Sequence, residues 1–142
     1  MIALYLLLTQ AALPPLPAPQ MVPKPAPMTD KPYEPQAILP GGVVVPLWPA
    51  NSPMLKADKV REPEVYNMSP TMPTRIQTVV GIHNPSLEFH PVEKNLNTGA
   101  VIIIAPGGGH NALWINSEGA DWVPFFYNYG INTVILRNRL RK

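Results

Sequence analysis

A short apolar run that ends in consecutive glycines is the feature that most constrains the fold of this chain. Val101 to Ala105 is rich in β-branched residues and carries no charge, which predicts a strand buried on both faces of a parallel sheet. Pro106 and three glycines, Gly107 to Gly109, follow directly. Because glycine has no Cβ, such a loop can turn sharply and present backbone N–H groups to a negative charge. The segment therefore predicts an anion-binding loop at the C-terminal end of a buried strand, as α/β enzymes build it.

The first half of the chain is dominated by proline. The 142 residues include 20 prolines, and 16 of these fall within the first 75 positions. Because proline lacks an amide N–H and fixes φ, residues 13–74 are predicted to form an extended, irregular leader. The foldable part is then residues 75–142, which is long enough for only a marginal hydrophobic core. No cysteine is present to stabilise that core by a disulfide bond.

The charge pattern gives no sign of a nucleic-acid partner. Four of the 11 cationic side chains crowd the end of the chain, at Arg137, Arg139, Arg141 and Lys142. Such a cluster is typical of a solvated strand end, and no basic stripe interleaved with aromatic residues accompanies it. We therefore expect no nucleic-acid partner.

The N-terminus favours export. Met1 to Leu8 is apolar but far too short to span a bilayer, so no stable membrane span is expected. Thr9 and Ala11 stand at the small-x-small spacing that precedes a signal-peptide cleavage site. Residues 1–12 are therefore interpreted as a signal peptide and the protein as secreted or periplasmic; the alternative is an apolar tail with no targeting role.

From Arg75 onward the pattern changes from prolines to alternating apolar residues. Alternation over Ile76–Ile82 resumes over Leu87–Phe89, and Asn84-Pro85 breaks it as a turn would. These two runs predict a β-hairpin that precedes the buried strand.

A helix and a further strand follow the glycine loop. The helix is predicted over residues 118–129, with Asp121 as N-cap, Pro124 in the first turn and Gly130 just past its end. Its spaced aromatic residues are Trp122, Phe126 and Tyr129. Residues 131–140 predict a second buried strand, so strand, loop, helix and strand make a right-handed βαβ unit and the fold class is α/β.

The same loop formally satisfies the dinucleotide-binding pattern G-x-G-x-x-A over Gly107–Ala112. That pattern requires a helix that opens within the glycines, so that its N-terminus meets the pyrophosphate. Here about eight residues separate the glycines from the predicted helix, and arginines stand where an acidic residue is wanted after the next strand. Dinucleotide binding is therefore the weaker hypothesis, and no cofactor is expected.

Four blocks, in this order, resemble the secreted esterase and lipase-like α/β-hydrolases, including acetylxylan esterases. They are VGIHNPSL at 80–87, IIAPGGGH at 103–110, SEGAD at 117–121 and GINTVILRNRL at 130–140. The resemblance covers residues 75–140 and implies a partial α/β-hydrolase fold. In that family the hairpin would be the first strand pair, the run at Val101–Ala105 the third strand and residues 131–139 the fourth.

The resemblance also implies roles for individual residues. Gly108 and Gly109 match the backbone donors of the oxyanion hole. His110 and Trp114 are candidates for lining the substrate pocket, with capping the loop and packing on the sheet as their respective alternatives. Glu118 is expected to support the loop or to cap the helix.

The catalytic triad of such an enzyme is missing from the chain. These 142 residues contain no G-x-S-x-G nucleophile elbow, and in this fold the acid and the histidine follow the serine. His83 and His90 are interpreted as half-exposed strand residues, and Ser86 and Ser117 as turn or cap residues. No metal site is expected, because the three dispersed histidines lack ligand spacing.

The sequence therefore predicts the N-terminal part of an exported serine carboxylic-ester hydrolase, truncated before the nucleophile elbow and inactive alone. The completed enzyme would act on a small-molecule or carbohydrate ester, and the resemblance suggests acetylated polysaccharide. The alternative from another class is a non-catalytic exported protein whose βαβ unit binds a partner.

Overall fold

A computed structural model describes residues 20–24 and 27–141 of the chain. The predicted signal peptide at 1–12 lies outside the described residues. The elements are six strands, one π-helical turn and one α-helix: β1 Val43–Pro46, β2 Val65–Met68, β3 Ile76–Val80, β4 Ser86–His90, β5 Val101–Ile104, the π-helical turn Asn116–Ala120, α1 Trp122–Asn128 and β6 Asn132–Arg137. Among the regular elements of the described residues, strand therefore predominates over helix.

Four of the strands form a mixed sheet and the other two form a separate ribbon. The sheet has the order β1-β4-β6-β5, and β2 pairs with β3. Within the sheet, β4 is antiparallel to both β1 and β6, whereas β5 and β6 are parallel. The coarse α/β class predicted from the sequence is confirmed.

The βαβ unit that carries the glycine loop forms as predicted, except that β5 is an edge strand. Its residues Val101 and Ile103 are exposed, so the prediction of a strand buried on both faces is wrong. After β5 the chain passes through the π-helical turn and α1 and returns as β6, parallel to β5. The helix begins after Asp121, which places Pro124 in its first turn, and Gly130 follows its C-cap with φ +70°. Proline needs no N–H donor in a first turn, and glycine adopts positive φ at little cost, so both residues suit these places.

Trp122 and Tyr129 lie on the exposed side of this helix. Trp122 is 46 % exposed and Tyr129 is 63 % exposed, while Val123 packs against the core. The aromatic rings contact one another instead: the Trp122 and Phe125 centroids lie 5.8 Å apart, edge to face. Mutual ring contacts account for the clustering of aromatic side chains on the outer side of the helix.

The predicted hairpin does not form. β3 pairs with β2, and β4 pairs with β1 and β6, so the two runs belong to different sheets. Gly81, with φ +70°, turns the chain after β3, and the Asn84 amide donates to the carbonyl of Tyr33 at 2.9 Å. Alternation identified both strands, but the linker redirects the second one to partners distant in sequence.

The expectation of an irregular leader is wrong for two segments, β1 and β2. Both are short runs between prolines, and Pro46 stands at the end of β1, an edge strand of the sheet, where a missing N–H is tolerated. Ile38 and Leu39, also in the leader, are buried in the same core as Ile76 and Ile135. The leader therefore contributes strands and core residues to the fold.

Arg137 is not part of a solvated strand end, which corrects the interpretation of the C-terminal charges. Its side chain is fully buried between two carboxylates. One guanidinium nitrogen of Arg137 lies 3.0 Å from a carboxylate oxygen of Glu64. A second guanidinium nitrogen donates to the carboxylate of Glu88 and, at 2.7 Å, to the backbone carbonyl of Gln36. The guanidinium thus connects β6 to β4 and to two places in the leader.

Glu88 has further donors besides Arg137. Its second carboxylate oxygen accepts the backbone N–H groups of Ile38 at 2.9 Å and Leu39 at 3.2 Å. The Nε2 atom of His90 lies 3.1 Å from the same oxygen, and His90 is buried rather than half-exposed as predicted. His83 is buried too, with its Nε2 atom 3.3 Å from Glu62.

The two carboxylates around Arg137 have pKa values displaced in opposite directions. Burial raises the pKa of Glu64, and the Arg137 charge and the Tyr66 hydroxyl only partly offset it. Burial would also raise the pKa of Glu88, but the adjacent His90 imidazole and the Arg137 charge outweigh it, so this pKa is lowered. The difference follows from donors, because Glu88 accepts two backbone N–H groups while one oxygen of Glu64 has no partner among the described residues.

Within the described ranges, neither α1 nor the π-helical turn has the length and apolar character that crossing a membrane requires.

Replacing Arg137 by methionine should destabilise the fold by about 3–5 kcal/mol, because it leaves two buried carboxylates without their counter-charge. The matched control is Arg141→Met, since Arg141 is exposed and its recorded contact is through its backbone N–H. Urea denaturation followed by tryptophan fluorescence would measure both free energies of unfolding. Equal values for the two variants would contradict a central role for the Arg137 ion pairs.

Replacing Glu88 by glutamine should flatten the loss of stability in acid. Because the folded pKa of Glu88 is lowered, its contribution is fully present above the ordinary value of 4.5 and is lost as pH falls through the folded pKa. Glu64 has the opposite sign: its folded pKa is raised above 4.5, so its ionisation costs stability as pH rises through that window. Glu64→Gln should therefore steepen the acid limb, and unfolding free energies measured from neutral to acid pH would show whether the two variants diverge.

Candidate functional site

The loop after β5 requires glycine at its centre. Gly108 has φ +141°, and a Cβ built there would lie 1.9 Å from the carbonyl oxygen of Ala112. Gly109 follows with φ +61° and His110 with φ +62°, so three successive residues have positive φ. Because the obstacle at Gly108 is backbone, no side-chain rotation relieves it, and the tight shape of the loop depends on this glycine.

Hydrogen bonds within the loop leave two backbone donors free. The carbonyl of Gly108 accepts the N–H groups of Asn111 at 3.2 Å and Ala112 at 3.4 Å, and the carbonyl of Gly107 accepts that of Trp114 at 3.0 Å. Among the hydrogen bonds of residues 20–24 and 27–141, none uses the N–H of Gly108 or Gly109 as donor. Gly109 is exposed and Gly108 is half-buried, and backbone N–H groups in such a glycine turn are the kind of donor that can bind an anion.

Glu118 holds the first glycine of the loop. Its carboxylate accepts the N–H of Gly107 at 2.6 Å, and a Cβ on Gly107 would come within 2.9 Å of the same oxygen. Glu118 belongs to the π-helical turn, whose Gly119 fits closely against Ile135 of β6 and Pro106. The structure thus brings Glu118 to the loop, as a supporting role requires, and it does not use this side chain to cap α1.

His110 and Trp114 lie on different sides of the loop. A cavity of about 190 Å³ is lined by the glycines, His110, Leu113 and Asn138, among others. Trp114 is absent from that lining and is 40 % exposed, with its ring carbon 3.3 Å from the position of a Cβ on Gly108. His110 therefore faces the cavity, whereas Trp114 packs against the back of the glycine turn.

Asn138 is a cavity residue that sequence reasoning missed. It follows directly after β6, and β6 is parallel to β5, which delivers the glycine loop. Because parallel strands end at the same edge of a sheet, the residues after β6 must lie near those after β5. That rule was sufficient to predict the position of Asn138 from the βαβ pattern alone.

The serines and the other histidines lie outside this cavity. Ser86 is fully buried at the start of β4, and Ser117 lies in the π-helical turn with its carbonyl accepting the indole N–H of Trp122 at 3.1 Å. His83 lies beside the exposed Glu62, and His90 lies beside the buried Glu88. Within the described part of the chain, no three histidine or acidic side chains are grouped closely enough to hold a metal ion.

Comparisons of this chain with protein families, curated proteins and solved structures find no match.

Replacing Gly108 by alanine should lower the free energy of unfolding by more than the backbone strain of a positive φ alone would. The matched control is Gly99→Ala, because Gly99 has φ +82° but nothing within 4 Å of a Cβ. The control should lose about 1–2 kcal/mol from backbone strain, and Gly108→Ala should lose more, because the Ala112 carbonyl must move. Denaturation curves compare the two losses, and amide resonances of Gly109 and His110 would shift in Gly108→Ala alone. A loss no greater than that of the control would show that the loop is not shaped by this contact.

Proposed function

We propose that this chain supplies the oxyanion-binding loop of a serine carboxylic-ester hydrolase of the secreted, esterase and lipase-like α/β-hydrolase type. The observation that supports it is the pair of free N–H groups, Gly108 and Gly109, at the C-terminal end of a parallel strand. The nucleophile, base and acid come from a polypeptide segment outside these 142 residues, so the chain alone is inactive. The substrate is a small-molecule or carbohydrate ester, with acetylated polysaccharide as the suggested class.

The sheet order is consistent with this proposal. In the family that the chain resembles, the third strand lies between the fourth strand and the strand that carries the serine. Here β5 lies beside β6, and its other edge has no partner among the described strands. The antiparallel pair that precedes these strands is β1 with β4 rather than the hairpin expected from the sequence. A nucleophile-bearing strand could therefore join the free edge of β5 beside the glycine loop.

The loop would act on the charge that develops during ester cleavage. A serine activated by histidine attacks the ester carbonyl, and the carbonyl oxygen becomes an oxyanion in the tetrahedral intermediate. The N–H groups of Gly108 and Gly109 would donate to that oxygen, and removing one such donor typically costs about 10²–10³ in kcat. Glu118 would keep the loop in register by holding Gly107.

Two alternatives have less support. Dinucleotide binding needs a helix that opens at the glycines, whereas here a loop and the π-helical turn precede α1. Arg137, which could have met a 2′-phosphate, is occupied by Glu64 and Glu88. A non-catalytic binding role has one observation in its favour, a cavity of about 300 Å³ formed by leader residues that include Lys31, Tyr33 and Arg61. That cavity is lined by leader residues and not by the βαβ unit, to which this alternative assigns the binding of a partner.

The proposal is tested with a stable mimic of the tetrahedral oxyanion. Methylphosphonate added to the 142-residue chain should shift the amide resonances of Gly108 and Gly109 saturably, because both N–H groups gain an acceptor. The variant Glu118→Gln should weaken this response, because it loosens the loop. In a separate assay, the chain itself should not hydrolyse p-nitrophenyl acetate above a protein-matched blank. Serine-dependent release of nitrophenol by this chain would contradict the proposal. Amide resonances of Gly108 and Gly109 that do not shift on addition of methylphosphonate would contradict it too.

A further inference from the structure

Three of the four strands of the sheet end at the same edge. β5 and β6 are parallel, and β1 has the same direction, because β4 is antiparallel to both β1 and β6. The pairing register places Pro46, the last residue of β1, level with Ser86 and hence with Arg137, the last residue of β6. The loop after β1 therefore leaves the sheet at the edge that carries the glycine loop and Asn138.

The loop after β1 carries an exposed tryptophan with apolar neighbours. Leu47 and Trp48 follow β1 directly and are 38 % and 39 % exposed. Met54, farther along the same loop, is 53 % exposed. Apolar side chains that stay exposed together on a loop beside a candidate site are typical of a surface that binds a ligand.

The backbone on both sides of Trp48 is constrained. Pro46 and Pro49 enclose the dipeptide, and a proline ring fixes φ. The N–H of Leu47 donates to the carbonyl of Pro85 at 2.9 Å, which ties the loop to the residue before β4. Because less conformational entropy is lost when a rigid loop binds a ligand, the loop presents Trp48 in a preorganised way.

The surface between Trp48 and the glycine loop is polar. In the sheet, the residues that follow β6 lie between those that follow β1 and β5. Asn138 is half-buried there, and the guanidinium of Arg139 donates to the backbone carbonyl of Met54, in the loop after β1. An amide and a guanidinium suit a ligand rich in hydroxyl groups, whereas an acyl chain along this path would desolvate them without giving them hydrogen-bond partners.

The separation of the two loops requires a long ligand. In the strand order β1-β4-β6-β5, the tryptophan loop and the glycine loop follow strands that are three positions apart. With about 4.8 Å between neighbouring strands, the ends of β1 and β5 are about 14 Å apart. An oligosaccharide of a few units spans that distance, and a single sugar does not. A ligand that contacts both loops is therefore a chain of sugar units.

The face of an indole ring suits the ring of a pyranose. The π-system of tryptophan carries partial negative charge on its face, and the C–H groups of a pyranose carry partial positive charge. A sugar stacked on the indole keeps its hydroxyl groups at the rim, where water or polar side chains bind them. The units that follow it toward the glycine loop would then pass Asn138.

We propose that Trp48 forms a distal sugar-binding subsite, which stacks on one unit of a polysaccharide chain whose ester group lies at the glycine loop. The position of the ester at the glycine loop rests on the proposed function. The stacking of a sugar on Trp48 rests on the loop after β1 alone. Trp48 is then a specificity-determining residue, which favours esters carried by a polysaccharide over small free esters.

The test uses the 142-residue chain with three probes. They are xylohexaose as the sugar chain, xylose as a single unit and octanoate as an acyl chain. Binding is followed through the side-chain amide resonance of Asn138 and the indole N–H resonance of Trp48. The latter is identified among the three tryptophans by its loss in Trp48→Phe.

Xylohexaose should shift both resonances saturably, because one chain contacts both residues. Xylose should bind about tenfold more weakly or worse, because it reaches only one of them. Octanoate should leave both resonances unchanged.

Trp48→Leu keeps an apolar side chain but removes the ring face, so it should weaken the binding of xylohexaose at Asn138 by about tenfold or more. Trp48→Tyr should retain most of the binding, because an aromatic face remains. The matched control is Trp122→Leu, since Trp122 is 46 % exposed but lies on α1. This control should bind xylohexaose as the unchanged chain does.

Equal binding of xylohexaose by Trp48→Leu and the unchanged chain would overturn the proposal, as would octanoate that displaces xylohexaose from Trp48. Binding at Trp48 by a chain whose Gly108 and Gly109 amides do not respond to methylphosphonate would retain the subsite and contradict the proposed function. A response of these amides without binding of xylohexaose at Trp48 would retain the proposed function and contradict the subsite.

Discussion

The buried guanidinium of Arg137 is the interaction on which the rest of this structure depends. It joins carboxylates from the leader and from β4, and one of these carboxylates also holds the backbone at Ile38 and Leu39. A buried ion pair gives little net stability against an apolar replacement, but breaking it on one side is costly. The network therefore adds to the pairing of β1 with β4 in joining the proline-rich leader to the rest of the sheet.

The candidate site depends indirectly, through β6, on the ion pairs of Arg137. β6 carries Arg137 at its end and Asn138 immediately after it, so the strand that is fixed by buried charge also supplies a wall of the cavity. On the other side, Glu118 fixes Gly107, and the π-helical turn that bears it packs against Ile135. The glycine loop thus lies between β6 and the π-helical turn, and the proposed oxyanion role requires that these contacts keep its two N–H groups in place.

The local sequence predicted the βαβ unit well because its signals are local. A β-branched run, consecutive glycines, and Pro124 and Gly130 at compatible helix positions each determine their own surroundings. The pairing of β4 with β1 joins residues 40 to 46 positions apart. The burial of Arg137 depends on Glu88 and Glu64, which are 49 and 73 positions away along the chain. Periodicity contains no information about such partners, so the predictions of a hairpin and of Arg137 in a solvated strand end were wrong. For the site, the glycines and Glu118 were identifiable, whereas Asn138 required the topology of the parallel strands.

The two edges of the sheet differ in how readily a further strand can pair with them. At β1 the last residue is Pro46, which offers no N–H to a further strand. At β5 the chain has neither proline nor charge, and its outward backbone groups remain unpaired among the described strands. Additional strands can therefore extend this sheet from the glycine-loop side but are disfavoured on the leader side. Any assembly that enlarges the sheet must then place its new strand next to the candidate site.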